Sequence, residues 1–319
     1  MQVKHVPVLY IIVPCYNEEA VLPASAKTLL NKLQELTDIG EISDDSRVLF
    51  VDDGSGDQTW ELIRQMHVLD CHYAGLRLSR NRGQQNAVLA GLMTAKGHAD
   101  ICISIDADLQ DDINAIDQML VKSKEGAQVV YGVRNTRTVD SLFKRFTAVC
   151  FYKLMQLMGV ELVFNHADYR LMSKTALEAL AQYREVNLFL RGLVPMIGFK
   201  TDVVYYERRA RPAGESKYPL KKMFALAFDG ISSFSIKPIR MISFVGGVIF
   251  AVSIFMLLWT VGVKLWSKTV PGWSSLMVSI WALGGLQLLS LGLIGEYIGK
   301  IYAETKARPR YHISETLLR

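Results

Sequence analysis

The sequence predicts an α/β domain over about the first 210 residues, followed by a strongly apolar C-terminal third. Short apolar runs alternate with helical patterns in the first part, and two long uncharged segments occupy the last. The chain of 319 residues is 50% hydrophobic and 21% charged. This composition is too apolar for an ordinary soluble enzyme, and it is the average expected of a soluble domain joined to a few membrane spans.

Five short apolar runs are predicted to be buried strands, because each is rich in β-branched or aromatic residues and is bounded by turn residues. They cover residues 8–13, 47–51, 73–79, 100–106 and 127–133. Helical patterns separate the first four, at about 19–36, 58–68 and 83–97. This alternation is typical of a mostly parallel sheet with helices on both faces.

Polar segments follow the predicted strands at residues 14–18, 52–55, 79–82 and 106–112, and Arg134 follows the fifth strand. In such sheets the ligand site lies beyond the carboxyl ends of the strands. We therefore expect these segments to converge in space. Arg80 and Arg82 are placed to meet phosphates there, although a structural role for them is an equal alternative.

The fourth segment, ISIDADLQDD, carries four carboxylates within seven residues. Such a cluster after a strand can supply a phosphorylated aspartate or hold a divalent cation. Gln110 departs from the dehalogenase pattern that the first chemistry requires. Asp108 and Gln110 would share one side of an extended segment and offer oxygen ligands to a hard cation. A solvated turn is the plain alternative, and Asp111 or Asp112 is expected to cap a helix.

Four motifs occur in order after the first four strands: IVPCYNEE, VDDGSGDQT, SRNRGQQNA and DADLQD. Together they resemble the family 2 glycosyltransferases with a GT-A nucleotide-sugar fold, over residues 7–218. The segments NHADYRLMSK, FLRGL and RPAGESKYPLKK, with the C-terminal GLIGEYIGKIYAETKARPRY, resemble bacterial polyprenyl-phosphate glycosyltransferases. That subfamily includes bactoprenol glucosyltransferases and relatives of dolichol-phosphate-mannose synthases.

The resemblance implies a nucleotide-sugar site in which Asp53 reads the base and Asp106 lies near the ribose and the sugar. It also implies a divalent cation, Mg²⁺ or Mn²⁺, held by Asp108 and Gln110. A mobile basic loop, in which Arg211 and Lys217 lie, would close over the phosphates. The residues assigned to the nucleotide sugar are Pro14, Tyr16, Glu18, Asp53, Asp106, Arg211, Ser216 and Lys217.

The resemblance implies that Asp168 is a catalytic base. It also implies that Arg170 is a basic neighbour near the phosphates. Asp168, Arg170 and Asp106 are the expected catalytic residues. The alternative for Asp168 is an ion pair with Arg170 or Arg134. A phosphate acceptor has its second pKa near about 6, so it needs a base less than a hydroxyl would. Candidates for binding the lipid phosphate are Arg134, Arg191 and Lys221, with a structural charge as the alternative for Arg191 and a headgroup contact for Lys221.

The C-terminal third contains 23 uncharged residues from Met241 to Val263 and 27 from Thr269 to Gly295. Each exceeds the roughly 20 residues that cross a bilayer. Lys and Arg flank both ends of the pair, so the positive-inside rule predicts a hairpin with both termini cytoplasmic. The expected organisation is a catalytic domain at 1–215, an amphipathic interfacial helix at 216–236, spans at 239–263 and 271–296, and a cytosolic tail at 297–319. Buried core helices are the alternative to each membrane element.

The resulting hypothesis is an inverting hexosyltransferase of the inner membrane. It would move a hexose, with UDP-glucose as the first choice, to undecaprenyl or another polyprenyl phosphate. UDP-GlcNAc, GDP-mannose or a modified pentose donor are alternatives. A membrane polysaccharide synthase is a further alternative, although the sequence lacks the QxxRW motif of that class. The resemblance suggests a homo-oligomer such as a tetramer, and no nucleic-acid partner is expected.

Overall fold

The computed structural model describes residues 6–134, 166–186, 188–207, 235, 237–266 and 272–318. The chain divides into two compact units. The first contains Met1–Tyr152, Glu161–Lys217 and Ala307–Arg319, and the second contains Lys153–Val160 and Tyr218–Lys306. The expected interfacial helix at 216–236 lies outside the described residues except for Ser235.

The first unit is built on an eight-stranded mixed sheet with the order β7-β5-β6-β4-β1-β2-β3-β8. The pairs β1–β2, β1–β4, β2–β3 and β5–β7 are parallel. Strand β6 is antiparallel to β4 and β5, and β8 is antiparallel to β3. The strands are Leu9–Cys15, Arg47–Asp52, Tyr73–Leu78, Ile101–Ser104, Val129–Arg134, His166–Ser173, Thr201–Tyr206 and Ile313–Leu317.

Six helices accompany the sheet in the described part of this unit: α1 Leu22–Asp38, α2 Thr59–Leu69, α3 Gln84–Ala95, α4 Ala115–Lys124, α5 Lys174–Leu180 and α6 Leu190–Met196. The strand β4 is buried at every residue, as expected of a strand covered on both faces. Helix α3 approaches the sheet at Gly91, where an added Cβ would lie 2.4 Å from Ile12 Cγ2. The predicted α/β class is confirmed.

Strand β6 differs from the mostly parallel expectation. It runs against its neighbours, so its first residues lie at the same edge as the carboxyl ends of β4 and β5. Its sequence, HADYRLMS, gives no simple apolar run because Arg170 is buried in the middle of it, at 1% exposure. Asp168, near the beginning of β6, therefore lies at the edge of the sheet where β4 and β5 end.

The second unit contains α7, Lys237–Trp266, and α8, Trp273–Lys306. The hydroxyl of Tyr297 on α8 donates to the carbonyl of Ser235 at 2.5 Å. Among the residues that the structure describes, no helix combines the length and the apolarity needed to cross a membrane.

The C-terminal residues differ from the expected tail at 297–319. Helix α8 continues to Lys306, and the chain then adds β8 to the outer edge of β3. Trp60 Nε1 donates to Glu315 Oε2 at 3.1 Å, and the Ser79 amide donates to the His312 carbonyl at 2.9 Å. Pairing satisfies the backbone groups of β3, which would otherwise form an open edge.

Candidate active site

The loops after β1, β2, β3 and β4 meet around a cavity of about 360 Å³ at the carboxyl edge of the sheet. The segments 14–18, 52–55, 79–82 and 106–112 therefore converge as expected, since each contributes to this cavity. Its lining consists of Pro14, Cys15, Tyr16, Glu18, Asp53, Asn81, Gly83, Gln84, Ala87, Asp106, Ala107 and Asp108.

Reciprocal hydrogen bonds hold the first two loops together. The Asn17 amide donates to Ser55 Oγ at 3.0 Å, and the Gly56 amide donates to Asn17 Oδ1 at 2.9 Å. The Glu18 amide donates to Thr59 Oγ1 at 2.9 Å. Asn17 has φ 55°, a left-handed conformation that asparagine tolerates better than most residues. These bonds keep the first loop at the rim of the cavity.

The Asp53 carboxylate anchors the third loop. It accepts hydrogen bonds from the Arg82 amide at 2.7 Å and the Gly83 amide at 2.8 Å. The side chain is 2% exposed, and burial raises the pKa of Asp53 against the opposing effect of these two amides. Asp53 thus lines the cavity and also shapes its neighbouring wall.

Gly54 makes this arrangement possible. Its φ is +69°, and an added Cβ would lie 2.6 Å from the backbone carbon of Arg80. Backbone atoms cannot swing aside as a side chain can, so the second and third loops meet here at a distance that only glycine permits.

Two carboxylates of the fourth loop accept hydrogen bonds from the side-chain amides of glutamines. Gln84 Nε2, at the start of α3, donates to Asp106 Oδ1 at 2.6 Å. Gln110 Nε2 donates to Asp108 Oδ2 at 2.6 Å. Burial, together with the negative charges of Asp168, Asp111 and Asp108, raises the pKa of Asp106 to about 7. The loop therefore brings several oxygen atoms that could ligate a cation close together, and their negative charges repel one another.

This donor set fits a hard divalent cation, which prefers carboxylate and carbonyl oxygens and relieves the repulsion among them. The oxygen ligands that this loop would offer such a cation are those of Asp106, Asp108 and the side-chain carbonyl of Gln110. Among the described residues, three side chains that could ligate a metal have their ligand atoms within 4.8 Å of one another at Asp70, Cys71 and His72. None of those three lines the cavity.

Asp111 and Arg134 form an ion pair beside this loop, with Arg134 Nη2 3.0 Å from Asp111 Oδ1. Asp111 is therefore an ion-pair partner of the fifth strand and not a helix cap. Asp112 Oδ1 accepts from the Asn114 amide at 3.2 Å, immediately before α4. The residue at the N-cap of α4 is Asn114, so the expectation that Asp111 or Asp112 caps this helix is wrong.

Asp168 binds two arginines. Arg191 Nε and Nη2 donate to its two oxygens, both at 3.1 Å, and Arg170 Nη2 donates to Oδ1 at 3.0 Å. Arg170 is buried and also donates to the Leu190 carbonyl at 3.3 Å. The ion-pair alternative for Asp168 is thus present with Arg170, whereas Arg134 has Asp111 as its partner.

The other expected site residues fall into two groups. Asp168, Arg170, Arg134 and Arg191 lie at the same edge of the sheet or beside it without lining the cavity. Arg211, Ser216, Lys217 and Lys221 lie outside the described residues.

The cavity also contains residues that the motifs had not singled out, chiefly Asn81, Gly83 and Gln84. The sequence predicts Arg80 and Arg82 as the phosphate contacts of the third loop, but Asn81 and Gly83 line the cavity, and the backbone amide of Arg82 donates to Asp53. A glycine followed by the polar first turn of a helix, in the loop after a strand, is the signal that could have identified them.

Comparison with known proteins agrees with the fold and the motifs. The family model described as Glycosyl transferase family 2 matches residues 10–181. A Bacillus subtilis protein named uncharacterized glycosyltransferase YkoT is 52% identical over 96% of this chain and 91% of its own length. The prophage bactoprenol glucosyl transferase homolog of Escherichia coli is 38% identical over 95% of this chain and 97% of its own.

One solved structure aligns over most of the chain. The mannosyltransferase PcManGT from Pyrobaculum calidifontis, in complex with GDP-Man and Mn²⁺, covers 95% of this chain and 88% of its own, with 16% identity and a TM-score of 0.48. The family match and the full-length relatives settle membership. The chain belongs to glycosyl transferase family 2 and is a glycosyltransferase enzyme.

Proposed function

We propose that this enzyme transfers a hexose, glucose from UDP-glucose in the first instance, to undecaprenyl or another polyprenyl phosphate. The observation that carries the proposal is the cavity in which Asp53, Asp106 and Asp108 meet on the loops after β2 and β4, with the loops after β1 and β3 completing its lining. Similarity along nearly the whole chain to proteins named bactoprenol glucosyl transferase supports the lipid acceptor.

The donor would bind across the cavity with its base at the second loop. Each Asp53 oxygen accepts one backbone amide, which leaves further lone pairs for an N–H of the base. Pro14, Tyr16 and Glu18 would flank the base and ribose from the first loop. Asp106, with Gln84 beside it, would meet the ribose and the sugar.

Asp108 and the Gln110 side-chain carbonyl would hold Mg²⁺ or Mn²⁺. When bound, the cation stabilises negative charge on the departing diphosphate. Arg211, Ser216 and Lys217 would contact the phosphates from the basic loop of the subfamily. Their roles follow from the resemblance alone.

The acceptor would attack with a phosphate oxygen from the face of the sugar opposite the diphosphate. A new bond forms between that oxygen and the anomeric carbon, and the bond from that carbon to the diphosphate oxygen breaks. UDP leaves, and the sugar is carried by the lipid with its anomeric configuration inverted. Since a phosphate monoester is largely ionised at neutral pH, no proton has to be removed in this step.

Asp168 is accordingly proposed to position arginines. Its two oxygens hold the Arg191 guanidinium in a bidentate pair, and the buried Arg170 braces the same carboxylate. A fixed guanidinium at this edge is suited to binding the acceptor phosphate. Arg134 and Lys221 are the other proposed contacts for that phosphate.

A membrane-embedded acceptor calls for an enzyme at the headgroup plane, because withdrawing the lipid costs about 0.8 kcal/mol per CH₂. We propose that residues 239–263 and 271–296 form a membrane hairpin and that residues 216–236 lie at the interface. The support is the pair of long uncharged segments with flanking lysines and arginines. We further propose that the enzyme resides in the inner membrane with both termini in the cytoplasm and that it forms a homo-oligomer.

A donor screen tests the reaction. The purified full chain would be mixed with one polyprenyl phosphate, Mn²⁺ or Mg²⁺, and each of UDP-glucose, UDP-GlcNAc and GDP-mannose, and the lipid product separated by chromatography. We expect a singly glycosylated lipid, formed fastest from UDP-glucose, and UDP release that depends on the lipid. Turnover without lipid, or a growing polymer, would exclude the proposed reaction.

A further inference from the structure

A second cavity of about 260 Å³ lies in the first unit, between α3, the end of α5 and the segment that precedes β8. It shares no lining residue with the cavity at the carboxyl edge of the sheet. Its composition combines an apolar wall with two arginines, a pairing that the transfer reaction does not use.

The charged side of the cavity is formed by Arg184 and Arg310. Neither forms an ion pair with any residue that the structure describes. Arg310 Nη2 donates to the carbonyl of Tyr183, which fixes the guanidinium while leaving other N–H donors. Burial raises the pKa of Tyr311, which also lines the cavity, so its hydroxyl stays protonated and can donate.

The apolar part of the lining includes Leu89, Met93 and Leu180. A cavity lined by two arginines and by apolar side chains suits a ligand with an anionic head and a hydrocarbon chain. The volume is below the roughly 300–1,000 Å³ of pockets that enclose whole drug-sized ligands. The cavity therefore has room for a headgroup and the first carbons of a chain, with the remainder outside.

We propose that this cavity binds the phosphate headgroup of an anionic membrane lipid. Arginine suits phosphate because its planar fork offers paired donors. A lipid source also rests on the membrane hairpin proposed above, because Arg310 lies in the segment of the chain that follows the proposed second span at 271–296.

Thermal unfolding of the detergent-purified full chain tests this, with short-chain phosphatidic acid as the probe. Short-chain phosphatidylcholine and inorganic phosphate are the comparison ligands. We expect a saturable rise in Tm with phosphatidic acid and a much smaller one with either comparison ligand. A Tm rise of equal size with inorganic phosphate would exclude a lipid ligand. A Tm rise of equal size with phosphatidylcholine would exclude recognition of an anionic headgroup by the two arginines.

Two variants locate the effect. Arg184→Gln changes an exposed side chain. It should raise the phosphatidic acid concentration that gives half of the Tm shift by about tenfold, which corresponds to the loss of one hydrogen bond to a charged group. Met93→Gln should weaken the lipid response through the apolar wall. UDP-glucose should stabilise both variants as much as it stabilises the parent chain, which separates this site from the cavity at the carboxyl edge of the sheet. An unchanged phosphatidic acid titration in both variants would overturn the proposal, whether or not sugar transfer to the polyprenyl phosphate is observed.

Discussion

Asp168 forms ion pairs with two arginines, one of which is buried and the other partly exposed. One carboxylate compensates the buried Arg170 and orients the partly exposed Arg191. Burial lowers the pKa of Arg170, and the charge of Asp168 opposes that effect. Removing the carboxylate therefore leaves a buried cation without this charge partner.

For Asp168→Asn we expect a loss of about 3–5 kcal/mol in the free energy of unfolding, the usual result of breaking a buried pair. The KM for polyprenyl phosphate should rise roughly tenfold to a hundredfold, the equivalent of about 1.5–3 kcal/mol for a hydrogen bond to a charged group. Steady-state kinetics and denaturant unfolding measure both. Asp202→Asn, which removes a carboxylate of β7 that pairs with Lys122, is the control.

A general base would give a different result. Loss of a proton acceptor lowers kcat by about 10²–10⁴ with little change in acceptor binding. That outcome for Asp168→Asn would replace the positioning role with catalysis by proton transfer.

Asp108 should determine the metal requirement. Chelation is expected to abolish sugar transfer, and Mn²⁺ or Mg²⁺ to restore it. Asp108→Asn should raise the metal concentration needed for half-maximal activity by about tenfold or more, because one anionic ligand is lost. Asp112→Asn is the matched control, since this acid of the same cluster accepts the Asn114 amide and the new side chain retains an oxygen. Equal effects of the two variants would exclude Asp108 as a specific ligand.

Substitution of Gly54 tests how much the close contact between the second and third loops contributes to stability and to UDP binding. A second glycine with the same backbone strain but no such contact serves as the control. Gly54→Ala should destabilise the protein by more than about 1 kcal/mol and weaken UDP binding, because the methyl group meets the Arg80 backbone. Gly40→Ala has the same kind of strain, at φ +70°, with nothing within 4 Å of the added Cβ. Denaturant unfolding and UDP titration of the two variants isolate the contact, and matching losses would show that the contact is unimportant.

Strand β8 connects the end of the chain, through β3, to the cavity at the carboxyl edge of the sheet. Its pairing partner β3 continues into Ser79, whose amide donates to His312, and the following loop supplies Asn81 and Gly83 to the cavity. The strand therefore supports a wall of the site although the two lie far apart in sequence.

Deletion of residues 312–319 should raise the KM for UDP-glucose several-fold with a smaller change in kcat, because the third loop loses its support. The exposed edge of β3 should also promote aggregation. Removing only Leu318 and Arg319, which follow β8, is the control. An unchanged KM in the longer deletion would show that β3 holds the loop without β8.

The arrangement of the whole chain in the membrane is testable by labelling. The native cysteines, of which Cys71 is exposed, would first be replaced by serine. In a hairpin with cytoplasmic termini, Lys268→Cys lies in the short connection and should react with an impermeant maleimide in intact cells. Leu318→Cys, beyond the end of β8, should react only after permeabilisation. Reaction of both residues in intact cells, or of neither, would exclude the proposed topology.

Much of the first unit could be read from local patterns. Apolar runs predicted β1 to β5, and the polar segments after them predicted the edge at which the cavity lies. Both inferences succeed because strand burial and the position of a strand end depend on neighbouring residues in the chain. The ordered motifs and their resemblance identified the family for the same reason.

The tertiary structure decided which groups meet. It paired Asp168 with Arg191, Asp111 with Arg134, and the Asp53 carboxylate with amides of a loop 29 and 30 residues away. It also turned β6 against its neighbours and placed β8 beside β3. A charge or a strand edge takes the partner that lies nearest in space when the sheet is complete, and no local period in the sequence records that distance.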